Sequence, residues 1–479
     1  MELQGGPEDT ICAIATPVGE GGIGIVRISG PQALTIADRI VRLRTAVSLH
    51  SLSSHTIHLA DIVWGRPETQ DETSSLNLQD RIDEALVLLM RAPRTFTGED
   101  VVEIHAHGNA LVLSRICEAC VHAGCRLAEP GEFTKRAFLN DKIDLSQAEA
   151  VLDTIRATSS QSLAAAQRQL RGDLRVQIDR LRSRLISLLS HLEAGIDFVE
   201  EDIEFVGRDE MLHVLSETMG EVRAALNSSR AGRVLREGAR VVIVGRPNVG
   251  KSSLLNRLLG ENRSIVTNIP GTTRDLIEES CRIEGRTISL TDTAGIRETE
   301  DQVEREGIAR TVHSMDEADL IIIVLDGAAP EGHDLSTLGV NSANGNVLVV
   351  VNKIDLLSSE EIHGICEQVA QHCSSTPVPI STTTGVGLDT LCKAVISRLG
   401  LSQLEPFPNL LITNVRHEHA LACCFDYLSR AFESIESGAQ PECVAVDLRG
   451  AADELGGITG AITTDEVLNQ IFSEFCIGK

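Results

Sequence analysis

The most constraining stretch of the chain is Val241-Val-Ile-Val-Gly245-Arg-Pro-Asn-Val-Gly250-Lys251-Ser252. Four apolar residues that suit a buried strand run into Gly-x4-Gly-Lys-Ser, and a helical pattern begins at Ser253. That is the context a phosphate-binding loop requires. The glycines let backbone N–H groups close around phosphates at a helix N-terminus. Lys251 neutralises β/γ charge and Ser252 offers a hydroxyl to Mg²⁺. Asn248, Val249, Gly250 and Ser253 complete the loop and the first helical turn.

Short, fully apolar runs recur downstream at Ile288 to Leu290, Leu320 to Leu325, Val347 to Val351 and Val378 to Ile380. Such runs, alternating with amphipathic segments, suit strands buried on both faces of a mostly parallel sheet. Motifs stand at the ends of these strands, where ligands sit in open α/β sheets. Asp292-Thr293-Ala294-Gly295 supplies a carboxylate near Mg²⁺ and a Gly295 amide for the γ-phosphate. Asn352-Lys353-Ile-Asp355 is similar to the guanine-reading Asn-Lys-x-Asp element of GTPases, with Asp355 accepting from the base, so the expected nucleotide is GTP. Ser381-Thr382-Thr383 stands where GTPases usually carry Ser-Ala-Lys, with the Thr382 amide expected at the guanine oxygen. Thr267-Asn-Ile-Pro-Gly271-Thr272-Thr273-Arg274 resembles a switch loop, with Thr273 completing the Mg²⁺ shell. Ile296 stands where Ras-like enzymes carry the glutamine that orients water. An aliphatic chain cannot hydrogen-bond water, so another residue must serve; Glu304 is either that residue or an exposed loop charge.

Outside this unit the pattern is different. The chain has 479 residues, room for about three domains. Between Pro130 and Pro247 lie 116 residues without proline, the strongest helix breaker. There Leu170, Leu174, Ile178, Leu181, Leu185, Leu188 and Leu192 form one apolar stripe, predicting a long amphipathic helix. Arg168, Arg171, Arg175, Arg180, Arg182 and Arg184 on its polar faces read as a solvated surface or an RNA-facing strip. A helical pattern returns after about Leu401. The α/β unit therefore reads as inserted between two helical pieces that pack together.

Composition excludes several classes. No apolar run approaches the roughly 20 residues that span a bilayer. The first residues lack the basic and apolar segments of an export signal, so a cytoplasmic location is expected. The 12 cysteines then read as free thiols. A formal charge of −26 and only 12 aromatic residues argue against a basic, base-stacking RNA module. Any RNA contact must come from a local patch or a partner protein. Gly19-Glu-Gly21-Gly22-Ile-Gly24 matches a dinucleotide fingerprint but precedes a β-like run, so it reads as a glycine-rich turn. Cys117, Cys120 and Cys125 with His122 read as buried thiols of an amphipathic helix, not as zinc ligands. Cys476, on the tail Phe475-Cys-Ile-Gly-Lys479, either reaches a cleft or tucks into a core.

The whole chain resembles the MnmE/TrmE family of tRNA modification GTPases. The matching stretches are Asp9-Thr-Ile with Ala15-Thr-Pro, Gly21-Gly-Ile-Gly-Ile-Val-Arg27-Ile-Ser-Gly30, Phe96-Thr-Gly-Glu-Asp-Val-Val-Glu103, Pro130-Gly-Glu-Phe-Thr-Lys-Arg-Ala-Phe-Leu-Asn-Asp-Lys142, the inserted unit and the terminal Cys-Ile-Gly-Lys. The resemblance implies an N-terminal α+β folate-binding and dimerisation domain at 1–141. It also implies a helical domain from two segments, 142–237 and 401–479, and an inserted P-loop GTPase domain at 238–400. By motif match, the family's folate contacts fall on Arg27, Glu103, Lys142 and Lys479, for a 5,10-methylene or 5-formyl tetrahydrofolate. Its K⁺ site falls on Asn248, Thr267, Ile269 and Thr272, its catalytic glutamate on Glu304, and a candidate nucleophile on Cys476. One departure stands out: His105-Ala-His107-Gly108-Asn109 ends in Asn where a second glycine is usual, so the turn near the folate pocket is expected to differ.

The implied reaction adds a carboxymethylaminomethyl-type group to C5 of wobble uridine 34 of certain tRNAs. The implied assembly is a homodimer that joins an FAD-dependent partner of the MnmG/GidA type in a heterotetramer. A regulatory or ribosome-assembly GTPase of the Era or Der type is the alternative; it would lack residues 1–141 and the terminal tail.

Overall fold

The computed structural model describes residues 9–17, 19–44, 48–64, 80–197, 207–262, 278–292, 318–329, 346–371, 376–400 and 411–479, with the backbone alone for residues 197, 261, 262, 278–280 and 292. They form two compact units, one of residues up to 152 with 459–479, the other of residues 153–458.

The first unit contains β1 (Ile11–Ile14), β2 (Gly21–Ser29), α1 (Ala33–Ile40), β3 (Val41–Leu43), β4 (Thr56–Val63), β5 (Arg81–Met90), β6 (Val101–Gly108), α2 (Ala110–His122), β7 (Arg126–Leu127), α3 (Glu132–Leu139) and α4 (Leu145–Arg156). The strands make one seven-stranded sheet in the order β3-β4-β5-β6-β2-β1-β7. All its pairs are antiparallel except β1 with β7. Successive strand residues point to opposite faces. Val26 and Ile28 of β2, Val87 and Leu89 of β5, and Val102 and Ile104 of β6 therefore face one core, closed by Ile36 and Ile40 of α1 and Leu113 and Ile116 of α2. The alternation puts Arg27 and Glu103, register partners on β2 and β6, together on the other face.

The glycine-rich segment expected as a turn before a strand opens β2. Asn109, the departure from the family pattern, takes φ −122° and caps α2, its side chain accepting from the amides of Leu111 and Val112. Asparagine is among the best residues for that task. Cys117 and Cys120 are buried on α2. A hydrogen bond with Cys12 and burial push both thiols well above the ordinary value, which makes them packing groups and not nucleophiles.

The second unit begins with α5 (Ser160–Leu170), α6 (Asp173–Asp197) and α7 (Arg208–Glu237). The apolar stripe read as one helix is thus split: Gly172, at φ +91°, breaks it after Leu170. The chain then enters an α/β layer: β8 (Ala239–Val244), α8 (Lys251–Asn262), β9 (Glu278–Ile283), β10 (Arg286–Asp292), β11 (Leu320–Asp326), β12 (Val347–Asn352), α9 (Ser359–Ala370), β13 (Val378–Pro379) and α10 (Leu388–Arg398). Strand order is β13-β12-β11-β8-β10-β9, parallel except for the β9–β10 hairpin. The runs expected as strands are β8 and β10 to β13. Strand β9 escapes that reading because an edge strand, Glu-Glu-Ser-Cys-Arg-Ile, has no continuous apolar run. Both faces of the sheet are buried, Ile243, Ile322 and Val350 on one side, Val242, Ile323 and Val349 on the other.

Helices α11 (Val415–Ser437) and α12 (Pro441–Thr459) follow. Their Leu421, Leu428, Leu448 and Leu455 share a core with Ile178, Leu181 and Leu185 of α6 and Leu215 and Val222 of α7. The α/β layer is therefore an insertion between helices that pack together. The arginines of α6 are tied within the fold. Arg180 and Arg184 both pair with Glu221 of α7, Arg182 Nε donates to the Ala452 carbonyl at 3.2 Å, and Arg175 faces Asp179 at 3.4 Å. The last helix, α13 (Asp465–Ser473), returns to the first unit, where Leu468, Phe472 and Phe475 pack on Leu145, Ala148 and Leu152 of α4.

Candidate nucleotide site and a second site at the chain terminus

The loop between β8 and α8 leaves the sheet at Gly245, where a Cβ would meet the Val324 carbonyl oxygen at 2.5 Å. Asn248 and Gly250 turn it through the left-handed region, at φ +64° and +100°. Lys251 opens α8 and is largely buried; its ammonium folds back over the loop, donating to the carbonyls of Gly245 and Arg246 at 2.8 and 2.9 Å. Ser252 and Ser253 stand exposed on the same first turn. A helix N-terminus, a lysine and two hydroxyls suit a polyphosphate with its cation.

Asn352, at the end of β12, is 1% exposed. Its Nδ2 donates to the Val249 carbonyl at 2.9 Å, and its Oδ1 accepts from the Thr382 amide at 3.1 Å. One side chain thereby joins the phosphate loop, the end of β12 and the loop after β13. Gly250 has to be glycine here, because a Cβ would stand 2.3 Å from Asn352 Nδ2. Asp355 is exposed, and its Oδ1 accepts from Ser381 Oγ at 2.6 Å, which fixes the carboxylate toward the same side. The Thr382 amide, expected at the guanine oxygen, is engaged by Asn352; Thr383, the next residue, is exposed. Asp292 ends β10, in register with Ile243 of β8, which places its backbone at the same edge of the sheet. Thr267, Ile269, Thr272, Thr273, Thr293, Ala294, Gly295 and Glu304 lie outside the described residues.

A second cluster lies in the first unit. Arg27 Nε donates to Glu103 Oε1 at 2.8 Å, and Arg27 Nη1 reaches the Gly478 carbonyl at 3.4 Å. His105 Nε2 faces the other Glu103 oxygen at 3.1 Å, and the Arg27 guanidinium lies 5.6 Å from the centre of the Phe133 ring. Burial alone would raise the Glu103 carboxyl, but Arg27 and His105 outweigh it and hold the group below its ordinary value. The tail is pinned by its backbone: Gly131 N–H donates to the Cys476 carbonyl at 3.5 Å, and Gly478, at φ +95°, passes so close to Ile14 that a Cβ would stand 2.2 Å from its oxygen. Cys476 is exposed and Lys479 half-buried. The structure thus brings Arg27 and Glu103 together with the tail that carries Cys476 and Lys479. Lys142 is exposed and donates to the Pro93 carbonyl at 2.8 Å.

Behind this cluster stands a network that the sequence reading did not identify. Buried Arg136 pairs with Asp9 at 2.5 Å and with Glu99 and Glu132 at 3.0 Å each; Arg126 pairs with Asp9 at 2.7 Å and Glu132 at 2.6 Å. Burial opposes ionisation of Asp9 and Glu132, yet the two guanidinium groups keep both below their ordinary values. Three of the stretches quoted above as family signatures, around Asp9, Glu99 and Arg136, therefore meet in one ion cluster. Their co-occurrence in the sequence was the available signal.

Residues 10–142 match the family described as GTP-binding protein TrmE N-terminus, and residues 145–476 match the MnmE helical domain family. Among curated proteins, the tRNA modification GTPase MnmE of Symbiobacterium thermophilum is 47% identical over 476 residues, spanning 98% of this chain and 100% of that protein. The proteins of the same description from Moorella thermoacetica and Carboxydothermus hydrogenoformans are 45% and 44% identical, each spanning 98% of this chain and 100% of the relative. The match reaches from the glutamate partner of Arg27 through the phosphate loop to the terminal tail, and the chain belongs to the MnmE family of tRNA modification GTPases.

Proposed function

We propose that the chain hydrolyses GTP to GDP and phosphate, and that this cycle serves modification of C5 of wobble uridine 34 in certain tRNAs. The observation that carries the GTP reading is Asn352, whose amide ties the phosphate loop to the segment bearing Asp355. Lys251 meets the β- and γ-phosphates. Asn248, Val249, Gly250, Ser253, Thr293, Ala294, Gly295, Lys353, Ser381, Thr382 and Thr383 frame the nucleotide. Ser252 and Thr273 would hold Mg²⁺, Asp292 would add a carboxylate near it, and Glu304 would orient the attacking water. Asn248, Thr267, Ile269 and Thr272 would hold K⁺, which would supply the positive charge that an arginine supplies to the phosphates in other GTPases.

A tetrahydrofolate derivative would supply the one-carbon unit. Glu103, ionised and hydrogen-bonded, suits the N–H donors of a pterin, while Arg27, Lys142 and Lys479 suit the glutamate carboxylates. Cys476 is the candidate nucleophile on the tail beside them. The chain acts as a cytoplasmic homodimer with an FAD-dependent partner of the MnmG/GidA type, which supplies most of the basic surface for tRNA that a chain of charge −26 lacks. Among the described residues, no helix is long and apolar enough to cross a membrane.

The test is nucleoside analysis of tRNA from cells lacking their own enzyme and expressing this chain. The wild type is expected to restore the C5 modification. Glu304→Ala and Asp292→Ala are expected to lose hydrolysis, Glu304→Ala while still binding GTP, and neither is expected to restore modification. Normal hydrolysis by Glu304→Ala would remove that residue from the mechanism, and unmodified uridine with the wild-type chain would contradict the functional reading.

A further inference from the structure

Asp326 lies 26 residues before the Asn-Lys-x-Asp element in a sequence with no motif of its own, yet it stands beside that element in the fold. It is the last residue of β11 and the register partner of Asn352 on β12. Its Oδ2 accepts from Lys353 Nζ at 2.5 Å, while its Oδ1 accepts from the Ala328 amide at 3.0 Å. The pair is partly shielded from water, with side chains 32% and 16% exposed for Lys353 and Asp326. The following Gly327 N–H donates to the Asn352 carbonyl at 2.9 Å, and a Cβ at 327 would stand 2.9 Å from that same oxygen. The turn after β11 is thus seated directly under the turn after β12.

Lys353 takes φ +65° and ψ +33°, a left-handed conformation that a lysine does not choose unaided. That conformation sends the chain from buried Asn352 to exposed Asp355 within three residues. Something must hold it, and among the described residues the charged partner of Lys353 is Asp326. We propose that Asp326 is a positioning residue for guanine recognition: through the Lys353 ammonium it fixes the turn that presents Asp355 to the base. This rests on the reading of the site as a GTP site. A merely structural role, stopping the strand through the Ala328 bond, would need only one carboxylate oxygen and no charge.

The two roles separate in a dissociation experiment on the full chain, with a fluorescent GDP analogue chased by unlabelled GDP. Asp326→Asn keeps an oxygen for the Ala328 amide and loses the charge. It is expected to release the analogue about tenfold faster, the size of one charge-assisted bond, and to narrow the preference for GDP over inosine diphosphate. Asp326→Glu is expected to recover part of the lost residence time. In a Lys353→Met background the Asp326→Asn change is expected to shift the rate by no more than about twofold, because its effect runs through the lysine. Equal release by wild type and Asp326→Asn, or an undiminished Asp326→Asn effect in the Lys353→Met background, would overturn the proposal while leaving the GTP site intact. A folded wild-type chain that fails to bind the analogue at all would overturn the GTP reading and the proposal with it.

Discussion

Asn352 Nδ2 donates to the carbonyl of Val249, 103 residues away in sequence, at 2.9 Å. The Asn-Lys-x-Asp segment and the phosphate loop are therefore joined by a direct bond. Made in the free protein, that bond removes part of the ordering cost of nucleotide binding.

Replacing Asn352 tests this directly. Asn352→Ala leaves the buried Val249 carbonyl without its partner, at a cost of about 1–3 kcal/mol, and removes the acceptor of the part-buried Thr382 amide. The expected result is a lower urea midpoint of the nucleotide-free protein together with loss of GDP binding. Loss of GDP binding with an unchanged midpoint would show that the bond forms only around the ligand.

Arg136 makes a different kind of prediction. It is 7% exposed and serves Asp9, Glu99 and Glu132 at once. Arg136→Met takes the guanidinium from Glu99 and leaves Asp9 and Glu132 with Arg126 alone, and breaking a buried pair costs about 3–5 kcal/mol. Thermal unfolding should show the first unit melting early, with the GTP site still able to bind nucleotide.

The same carboxylates set a pH dependence. Asp9, Glu103 and Glu132 sit below their ordinary values of 3.8, 4.5 and 4.5. A carboxyl lowered by folding holds fewer protons in the native state than in the unfolded chain, so its contribution is whole above about pH 5 and is lost as pH falls through the folded value. The urea midpoint should fall between pH 5 and pH 3, and Glu103→Gln should flatten part of that slope. A flat profile in the wild type would contradict the ion-pair assignment.

The tail offers a test that leaves the nucleotide site alone. Gly478→Ala forces a Cβ against the Ile14 carbonyl at a residue with φ +95°. It should displace the segment bearing Cys476 and reduce tRNA modification while GTP turnover persists. Unimpaired modification would remove the tail from the chemistry.

Much of this was legible in the sequence, for reasons that differ from element to element. The parallel strands β8, β11 and β12 are buried on both faces and so appear as unbroken Val and Ile runs. The phosphate loop is legible because its glycines and lysine all fall between Gly245 and Lys251. The polar edge strand β9 shows no such run. Gly172 was outvoted by the leucine stripe on either side of it, although at φ +91° it ends the helix. Other spatial relations were hidden: nothing in the spacing of Asp9, Glu99 and Arg136, or of Asp326 and Lys353, says that they touch. The arginines of α6 read as a solvated surface or an RNA-facing strip, and nothing in their spacing named Glu221 and the Ala452 carbonyl as partners.

GTP turnover by the purified full chain, compared in KCl and NaCl at equal ionic strength with ATP as the control substrate, tests the central claim most directly. The proposed site predicts hydrolysis of GTP and not ATP, strongly faster in K⁺ than in Na⁺, with the K⁺ advantage lost in Asn248→Ala. Equal GTP turnover in the two salts would contradict the cation-assisted mechanism, and ATP hydrolysis matching that of GTP would contradict the assignment of Asn352 and Asp355 to guanine.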